Sequence, residues 1–444
     1  MRNAFRHARA THLSLTESVD MKKHLIAAAT ILSSAVGVAH ADDGSSIQLY
    51  GILDVAVGTI EHSANGSSEF PSTVNPVNKT SVKDGNSVTG MFNGGISDSR
   101  WGIKGTEDLG GGMSAFFGLE SGINVQSGTL NNAAASLAGT NNTMAAASAL
   151  DGQLFNRGAF VGLRDSRFGS IAFGRTTTLG YDTITNYDPM HAAQLFSPLG
   201  FSGSYSAGGI TEGSRTDNNI KYTNRFDNVN FGLSYSFGGQ AGDFRAGSTF
   251  GANLGYESGT FGVQATYYEA TDVLHAGGLT GANAATSTAV GTNVGALTLN
   301  DDEDFMIAAK YGWGPLTFKG GFEHYELKAP SDPIVNGSSV NYYGYTGTVT
   351  NTVHPSKTNL YFAGGDYKIT PVLDVSIGFY DTQTLQSTGV ASGNQLQYSA
   401  LADYNLSKRT DVYLGYMFSH YNGDAFIGDE RANYILATGI RTAF

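Results

Sequence analysis

A two-residue alternation of apolar and polar side chains recurs along most of this chain. In Asn230–Phe237 every odd position carries a large apolar residue and every even position a small or polar one. The same pattern appears near residues 305–311, 373–379, 396–403 and 412–418. Successive side chains of a β-strand point to opposite faces, so such strands meet an apolar medium on one face and water on the other. The alternation therefore predicts a chain built from many amphipathic strands.

The connections between these segments alternate between short and long. The short connections fall near residues 109–112, 166–168, 258–260, 314–315 and 407–410, and the long ones near 62–96, 128–153, 178–215, 271–302 and 329–356. Tight turns at one end and long loops at the other are typical of an up-and-down transmembrane barrel, whereas a soluble sandwich gives no reason for the asymmetry. From Ile47 to Phe444 we count sixteen candidate strands and no domain boundary. The predicted fold is all-β, a sixteen-stranded antiparallel transmembrane barrel.

The first 41 residues read as a targeting segment. The apolar run Leu25–Val38 is too short to span a bilayer as a helix. It follows Lys22 and Lys23 and precedes Ala39-His40-Ala41, which has the small-x-small form of a signal peptidase site. We therefore interpret residues 1–41 as an N-terminal extension and a cleaved signal peptide, with translation starting at Met21 and cleavage after Ala41. Residues 42–444 would form a single barrel.

Composition excludes several other classes of function. The whole chain has 26 basic and 38 acidic residues and no cysteine. Residues 1–41 hold five of the basic and two of the acidic residues, so residues 42–444 keep 21 basic and 36 acidic residues and a formal net charge of −15. Such acidity argues against a nucleic-acid partner, and the lack of cysteine excludes disulfide frameworks and thiolate metal sites.

The sequence holds no motif that supports catalysis or a cofactor. Gly110–Ala115 loosely matches a dinucleotide-binding fingerprint, but it joins two amphipathic strands and no helix follows, so we interpret it as a hairpin. Asp301–Asp304 could offer oxygen ligands to calcium, although the EF-hand pattern is missing and loop acids are usually just solvated. We therefore expect no enzyme, no cofactor and no metal site.

Several short segments follow one another in an order that identifies a family: Leu49–Asp54, Ser99–Gly110, Ala159–Leu163 with Phe173–Arg175, Asn218–Tyr222 and the terminal Phe444. Together they resemble the general diffusion porins of Gram-negative outer membranes, in particular the trimeric β-proteobacterial type, over the whole mature chain. The resemblance implies a homotrimeric outer-membrane channel through which small hydrophilic solutes and ions diffuse passively. It also implies contacts with outer-membrane lipids and lipopolysaccharide, and a third loop folded into the lumen whose acids face an arginine ladder.

Terminal Phe444 has a separate implication. It lies in phase with Tyr434, Leu436 and Ile440 of the last predicted strand, whose apolar side chains would face outward. For such a residue, the resemblance to the porins implies a signal for the barrel-assembly machinery.

The predicted pore constriction combines strand phase with the family's ladder positions. Arg100 and Lys104 lie on the strand face opposite Trp101, so they point into water when the apolar face meets lipid. Glu120 is expected in the lumen because it is in phase with Gly118. The complete predicted set is Arg100, Lys104, Glu120, Arg157 and Arg215, with Asp182 and Asp188 as the candidate acids of the third loop, Thr178–Arg215. The plainer interpretation is that these are solvated charges at the bases of loops.

Arg175 shares its strand parity with Ile171 and Phe173, which should face outward. A charge on the lipid face would cost roughly 2–4 kcal/mol near the bilayer midplane. We therefore predict that Arg175 lies at a subunit interface, near a neighbour's second loop.

Two other functions remain open at this point. A substrate-specific porin for oligosaccharides or peptides would need aromatic residues along the lumen, and Tyr187, Phe196, Phe201 and Tyr205 of the third loop leave this open. A secreted β-sandwich adhesin or lectin would instead give a soluble protein. Among channels, the four ladder cations favour anions, whereas the acidic mature chain favours cations at the mouths.

Overall fold

The computed structural model describes residues 45–61, 87–128, 154–199, 214–239, 241–275, 294–331, 339–342, 345–350, 356–387, 393–423 and 432–444. The predicted signal segment 1–41 lies outside these residues. The described residues form these strands and one helix, in chain order: β1 Ser46–Glu61, β2 Val88–Asn93, β3 Arg100–Gly110, β4 Met113–Gly122, β5 Gly158–Asp165, β6 Gly169–Thr177, α1 Leu179–Tyr187, β7 Arg215–Phe226, β8 Val229–Ser236, β9 Thr249–Glu257, β10 Phe261–His275, β11 Val294–Trp313, β12 Leu316–Lys328, β13 Ser339–Tyr342, β14 Tyr345–Thr350, β15 Ser356–Thr370, β16 Leu373–Ser387, β17 Gly393–Asn405, β18 Thr410–Gly423 and β19 Ala432–Ala443.

The strands form one sheet that closes on itself. Barrel strands pair with their neighbours in sequence, and β1 pairs antiparallel with β19 from Ile52↔Ala443 to Glu61↔Tyr434. The two halves of β1 pair with β3 and β2 respectively, so β2 and β3 together make one barrel strand. Strand β12 pairs directly with β15, which leaves β13 and β14 as a hairpin outside the ring. The closed ring therefore has sixteen strands, which confirms the predicted fold and excludes the sandwich.

The alternation separates the two faces of this wall. Leu254 and Ile377 each keep 60% of their surface exposed on the outside. The next residues along these strands face inward and are small or polar. Gly255 faces the Gln264 side chain, and Ser376 donates a hydrogen bond to Asp366. An apolar outer surface around a polar interior is the arrangement that lipid requires of a barrel.

Among the described residues, no helix combines the length and the apolar character needed to cross a membrane.

The short connections fall where the sequence predicts them. Between β3 and β4 the backbone turns at Gly110, Gly111 and Gly112 with φ of 80°, 64° and 86°. Glycine adopts this left-handed region without the Cβ clash that other residues suffer. The fingerprint-like segment is therefore a hairpin turn.

Three predicted long loops are shorter than expected, because strands continue into them. Strand β2 lies within 62–96, β10 and β11 extend into 271–302, and the β13–β14 hairpin lies within 329–356. These extensions are rich in Gly, Ser, Thr and Asn, whose small polar side chains hide the alternation. Asp301–Asp304 consequently belongs to β11 and is not a loop segment.

Asp54 holds the break between β2 and β3. Its buried carboxylate accepts hydrogen bonds from the backbone N–H groups of Gly95, Ile96 and Ser97 at 3.2, 3.0 and 2.7 Å, and from the Tyr413 hydroxyl of β18. Buried backbone donors need a partner, and the carboxylate supplies one where the ladder is interrupted.

The third loop runs through the interior. Thr178 caps the start of helix α1, since its Oγ1 accepts the Tyr181 N–H at 3.1 Å. Thr183 then bonds Thr266 of β10 through their hydroxyls at 2.7 Å. Further along, Met190 and Phe196 pack against glycines on the inner faces of β16 and β18. The described part of the loop thus crosses from one wall of the barrel to the other.

Candidate functional site

Strand register brings four charged residues to one level of the lumen. Arg100 opens β3, and Glu120 lies near the end of β4, opposite Gly102 on one side and Gly158 on the other. Arg157 immediately precedes β5, and Arg215 opens β7. All four therefore lie at the long-loop end of their strands, beside α1.

Glu120 and Arg157 form the centre of this group. Arg157 places Nε 2.8 Å from Glu120 Oε1 and Nη1 2.6 Å from Asp98 Oδ2. The Tyr50 hydroxyl donates to Glu120 Oε2 at 3.0 Å. Burial works against the charge of Arg157, but the carboxylates of Asp98 and Glu120 outweigh it and raise the pKa of Arg157 above its ordinary value. The guanidinium is therefore held charged, with both neighbouring acids as its partners.

The positive charges of Arg100 and Arg215 are compensated less fully than that of Arg157. Arg100 Nε lies 3.6 Å from Glu120 Oε2, and its Nη1 donates to the Asp98 carbonyl at 3.0 Å. Arg215 donates to the Arg157 carbonyl at 2.6 Å and to Ser214 Oγ at 3.0 Å, and no described carboxylate forms an ion pair with it. Three guanidinium groups thus meet two carboxylates, which leaves an excess of one positive charge before Lys104 is counted.

Lys104 lies one step further into the barrel. Its side chain is exposed, and Nζ lies 5.0 Å from the centroid of the Tyr50 ring. In the part of the chain that the structure describes, it forms no ion pair. It is the most accessible cation of the predicted set.

Neither acid of the third loop meets the arginines. Asp182 forms an ion pair with Lys221 of β7 and accepts a hydrogen bond from Thr177 Oγ1 at 2.7 Å. The expectation that it faces the ladder is wrong, because the first turn of α1 directs it to the adjacent strand.

Asp188 lies at the other end of the helix and faces the opposite wall. It is fully buried and accepts hydrogen bonds from Tyr380 OH and the Ala192 N–H, both at 2.6 Å. Burial raises the pKa of this carboxyl, while these donors oppose the rise. The expectation that Asp188 faces the arginines is also wrong, since it fastens the loop to β16.

The opposite wall carries a second set of charges. Asp366 of β15 accepts from His191 Nε2 at 2.6 Å and from Ser376 Oγ at 2.8 Å, and Lys319 Nζ lies 3.3 Å from its Oδ2. Lys319 also donates to the Asp188 carbonyl at 3.2 Å. Asp366 and Lys319 thus hold the loop segment that follows α1, through His191 and the Asp188 carbonyl.

Arg175 lies inside the protein. It is 5% exposed, its Nη1 lies 2.7 Å from Asp217 Oδ1 and its Nε donates to the Asn156 carbonyl. Arg175 stays in register with Ala159 of β5, while the register shift between Gly174 and Thr176 places the extra residue on β7. Its charge is therefore compensated within the chain, and the placement of Arg175 at a subunit interface stays a prediction.

Phe444 completes the ring. Its backbone exchanges two hydrogen bonds of 3.1 Å with Gly51 of β1, and its ring lies over that glycine. The terminal residue is thus part of the seam at which the first and last strands meet.

Sequence reasoning missed Asp98, Tyr50 and Tyr181, of which Tyr181 lies under Arg215 with its ring centroid 5.3 Å from the guanidinium carbon. A signal existed for Tyr50 only, since it lies in the recognised segment Leu49–Asp54. Of the third-loop aromatics, Tyr187 and Phe196 are buried in the loop packing, while Phe201 and Tyr205 lie outside the described residues.

Comparisons with known proteins agree with this architecture. The chain is 32% identical over 206 residues to an outer membrane porin protein of Bordetella pertussis, covering 46% of this chain and 43% of that protein. It is 30% identical over 215 residues to outer membrane porin protein 32 of Delftia acidovorans, covering 48% and 49%. The chain thus spans about half the length of the curated relatives it matches.

Solved structures share the fold at lower identity. An anion-selective porin from Comamonas acidovorans superposes with a TM-score of 0.62 at 22% identity, over 90% of this chain and 100% of that one. The trimer form of OmpT of Vibrio cholerae gives 0.55 at 14% identity, over 90% and 100%. The profile of the Gram-negative porin family matches residues 27–424. The chain belongs to the family of Gram-negative porins.

Proposed function

We propose that this protein forms a water-filled channel in the outer membrane, through which small hydrophilic solutes and ions diffuse passively with a preference for anions. The observation that carries this proposal is the arrangement at the level of α1. There the third loop lies inside a closed sixteen-stranded barrel, beside a wall with three guanidinium groups and two carboxylates.

The basic wall supplies a positive electrostatic field in the lumen. We define this wall as Arg100, Lys104, Arg157 and Arg215, on the β3–β7 side. The charge of Arg157 is taken up by Asp98 and Glu120. The excess positive charge therefore rests with Arg100, Lys104 and Arg215. Low-dielectric barrel walls focus such a field into the narrow water path, so a few residues outweigh the distant negative charge of the rest of the chain. The Comamonas porin of similar fold is named as anion-selective, which agrees with this preference.

We further propose that the protein assembles as a homotrimer in contact with outer-membrane lipids and lipopolysaccharide. A trimer form is described for OmpT of Vibrio cholerae, which shares the fold. A detergent-solubilised mass of three chains is the expected result, and a mass of one chain would contradict it.

Phe444 would serve as the recognition signal for the barrel-assembly machinery, because it directly follows β19, the strand that closes the ring, and bonds to Gly51 of β1. Phe444→Ala should lower the amount of protein that reaches the outer membrane in cells. Normal amounts of the variant would contradict this role.

The test of the channel itself is conductance of the refolded protein in a planar bilayer. Reversal potentials under a KCl gradient give the ratio of anion to cation permeability. Discrete conductance steps with chloride favoured over potassium support the proposal. Steps that favour potassium would overturn the anion preference alone, and absence of any conductance would overturn the channel.

A further inference from the structure

Two phenylalanine rings lie on the lumenal face of the barrel wall, next to the basic wall. Phe116 shares a strand face with Gly118 and the lumenal Glu120, while its neighbour Phe117 points to the opposite, outer face. Phe160 lies on the adjacent strand, directly opposite Gly118. Large apolar rings are unusual in a lumen that must stay wetted.

Both rings lie flat against the wall over glycines. A Cβ added to Gly162 would lie 2.4 Å from Phe116 Cζ, and one added to Gly118 would lie 2.5 Å from Phe160 Cζ. The two ring centroids are 6.2 Å apart with an interplanar angle of 65°. Covering glycines is a structural task that a leucine would also perform. The rings nevertheless keep part of their surface open to the lumen, so they can also receive a solute.

Two accessible cations bracket these rings. Lys104 pairs with Gly118 across the β3–β4 ladder, beside the ring of Phe160. Arg164 places its guanidinium carbon 5.0 Å from the centroid of the Phe116 ring. Both side chains are exposed, and neither forms an ion pair within the described ranges. Two positive charges are therefore available on either side of an aromatic surface.

The rings line a cavity of about 340 Å³ that opens to the lumen. Arg157, Arg215 and Lys221 also line it, together with the hydroxyls of Ser170 and Thr223. Its one lining carboxylate, Glu120, is already paired with Arg157. Apolar surface with a few convergent polar groups is the usual make-up of a small-molecule site, and the volume falls within the usual range.

We propose that this cavity is a transient binding site for small aromatic carboxylates that pass through the channel. The aryl ring packs on Phe116 and Phe160, and the carboxylate pairs with Lys104 or Arg164. Offset or edge-to-face packing of rings and charge-assisted hydrogen bonds are both favourable in this setting. The inference rests on the proposed channel function and narrows it to a class of solute.

The test uses benzoate as the probe, added to the refolded protein in a planar bilayer, with acetate and cyclohexanecarboxylate as comparisons. Benzoate should block the chloride current at concentrations at which the other two do not. Phe116→Leu and Phe160→Leu keep the glycines covered but remove the aromatic face, and each should raise the half-blocking concentration about threefold or more.

Phe117→Leu is the matched control. Phe117 lies on the same strand and covers Gly105 on the outer face, just as Phe116 covers Gly162 on the inner face. Benzoate should block the Phe117→Leu variant at the same concentration as the parent protein. This result would show that a loss of block in Phe116→Leu comes from the lumenal ring and not from a general effect on the strand. Lys104→Gln and Arg164→Gln should also weaken the block.

The outcomes distinguish this inference from the channel function. A conducting channel that benzoate and acetate block equally, or in which Phe116→Leu behaves like Phe117→Leu, overturns the aromatic site and leaves the channel standing. Equal block by cyclohexanecarboxylate overturns the assignment to aromatic solutes. A protein that conducts no current overturns the channel function itself.

Discussion

The two sides of the lumen use buried charge for different purposes. On the basic wall the cations outnumber the carboxylates that pair with them, so a positive charge is left over at the water path. The anchor wall, formed by Lys319, Asp366, Gly378, Tyr380 and Gly415 on β12–β18, pairs its charges with each other and with the third loop. Under the proposed channel function, the placement of each charge in its network, more than the presence of charge, decides which wall acts on a passing ion.

The anchor wall also differs in its use of glycine. A Cβ at Gly415 would lie 2.4 Å from ring carbons of Phe196, and one at Gly378 would lie 2.8 Å from Met190 Cγ. The loop can approach the wall closely only because these side chains are absent. On the basic wall the glycines are covered instead by rings of the wall itself.

The largest expected effect comes from adding a side chain at Gly415, the seat on which Phe196 of the third loop packs. Gly415→Val should lower the free energy of unfolding by about 1–3 kcal/mol, because it overpacks a closed site, and should raise single-channel conductance as Phe196 leaves the wall. Thermal unfolding and bilayer recordings measure both. Gly90→Val is the control, since a Cβ there meets nothing within 4 Å. Equal behaviour of the two variants would show that the loop does not depend on this seat.

Neutralising the basic wall should come next in size. A unit charge about 4 Å from an ion in water is worth about 1 kcal/mol, or about fivefold in a permeability ratio. The double variant Arg100→Gln with Arg215→Gln should lower the ratio of chloride to potassium permeability by about that factor. The double variant Lys319→Gln with Asp366→Asn removes one charge of each sign from the anchor wall and should leave the ratio unchanged. An equal fall in both double variants would contradict the division between the walls.

Glu120→Gln should change the permeability ratio in the opposite direction from the loss of the arginines. It removes a negative charge from the basic wall, while the amide oxygen can still accept from Arg157 and the amide NH2 can donate to the Tyr50 hydroxyl. The ratio of chloride to potassium permeability should rise roughly twofold at low salt and less at high salt, where charges are screened. A fall in the ratio would mean that Glu120 serves mainly to position the arginines.

The smallest effect is expected at Asp188. Burial raises the pKa of this carboxyl in the folded protein, so the folded state holds its proton more tightly than the unfolded chain does. The stability that this group contributes is therefore present at low pH and lost as pH rises from about 4 toward the raised pKa. Asp188→Asn should flatten this pH dependence in thermal unfolding, whereas the exposed turn variant Asp227→Asn should retain it.

The barrel could be predicted from sequence because it rests on local, periodic information. In a strand such as Asn230–Phe237, the alternation alone shows which residues lie on each face. The lumenal positions of Arg100 and Glu120 follow from that phase. Adjacent Phe116 and Phe117 carried an unused signal, since two neighbours in one strand cannot both face lipid.

The errors fall where periodicity ends. The partners of Asp182 and Asp188 depend on the path of a loop through the interior, which no strand phase encodes. Asp217, the partner of Arg175, lies beside a register shift between β6 and β7, which strand phase does not encode either. Asp98, at the break between two strand segments, belongs to no regular pattern at all.

The hydrogen bonds of the Asp54 carboxylate depend on closure of the barrel. Its partner Tyr413 lies 359 residues away on β18. The cradle, in which Asp54 holds the backbone N–H groups of Gly95–Ser97, is therefore complete only once β19 has paired with both β1 and β18. Leu195 of the third loop docks its N–H on the Gly95 carbonyl at 2.9 Å, within the same cradle. Contacts so distant in sequence form late, because the intervening chain must first be ordered. Closure of the barrel and seating of the third loop therefore share the same contacts, so a barrel that does not close also lacks part of the support of its third loop.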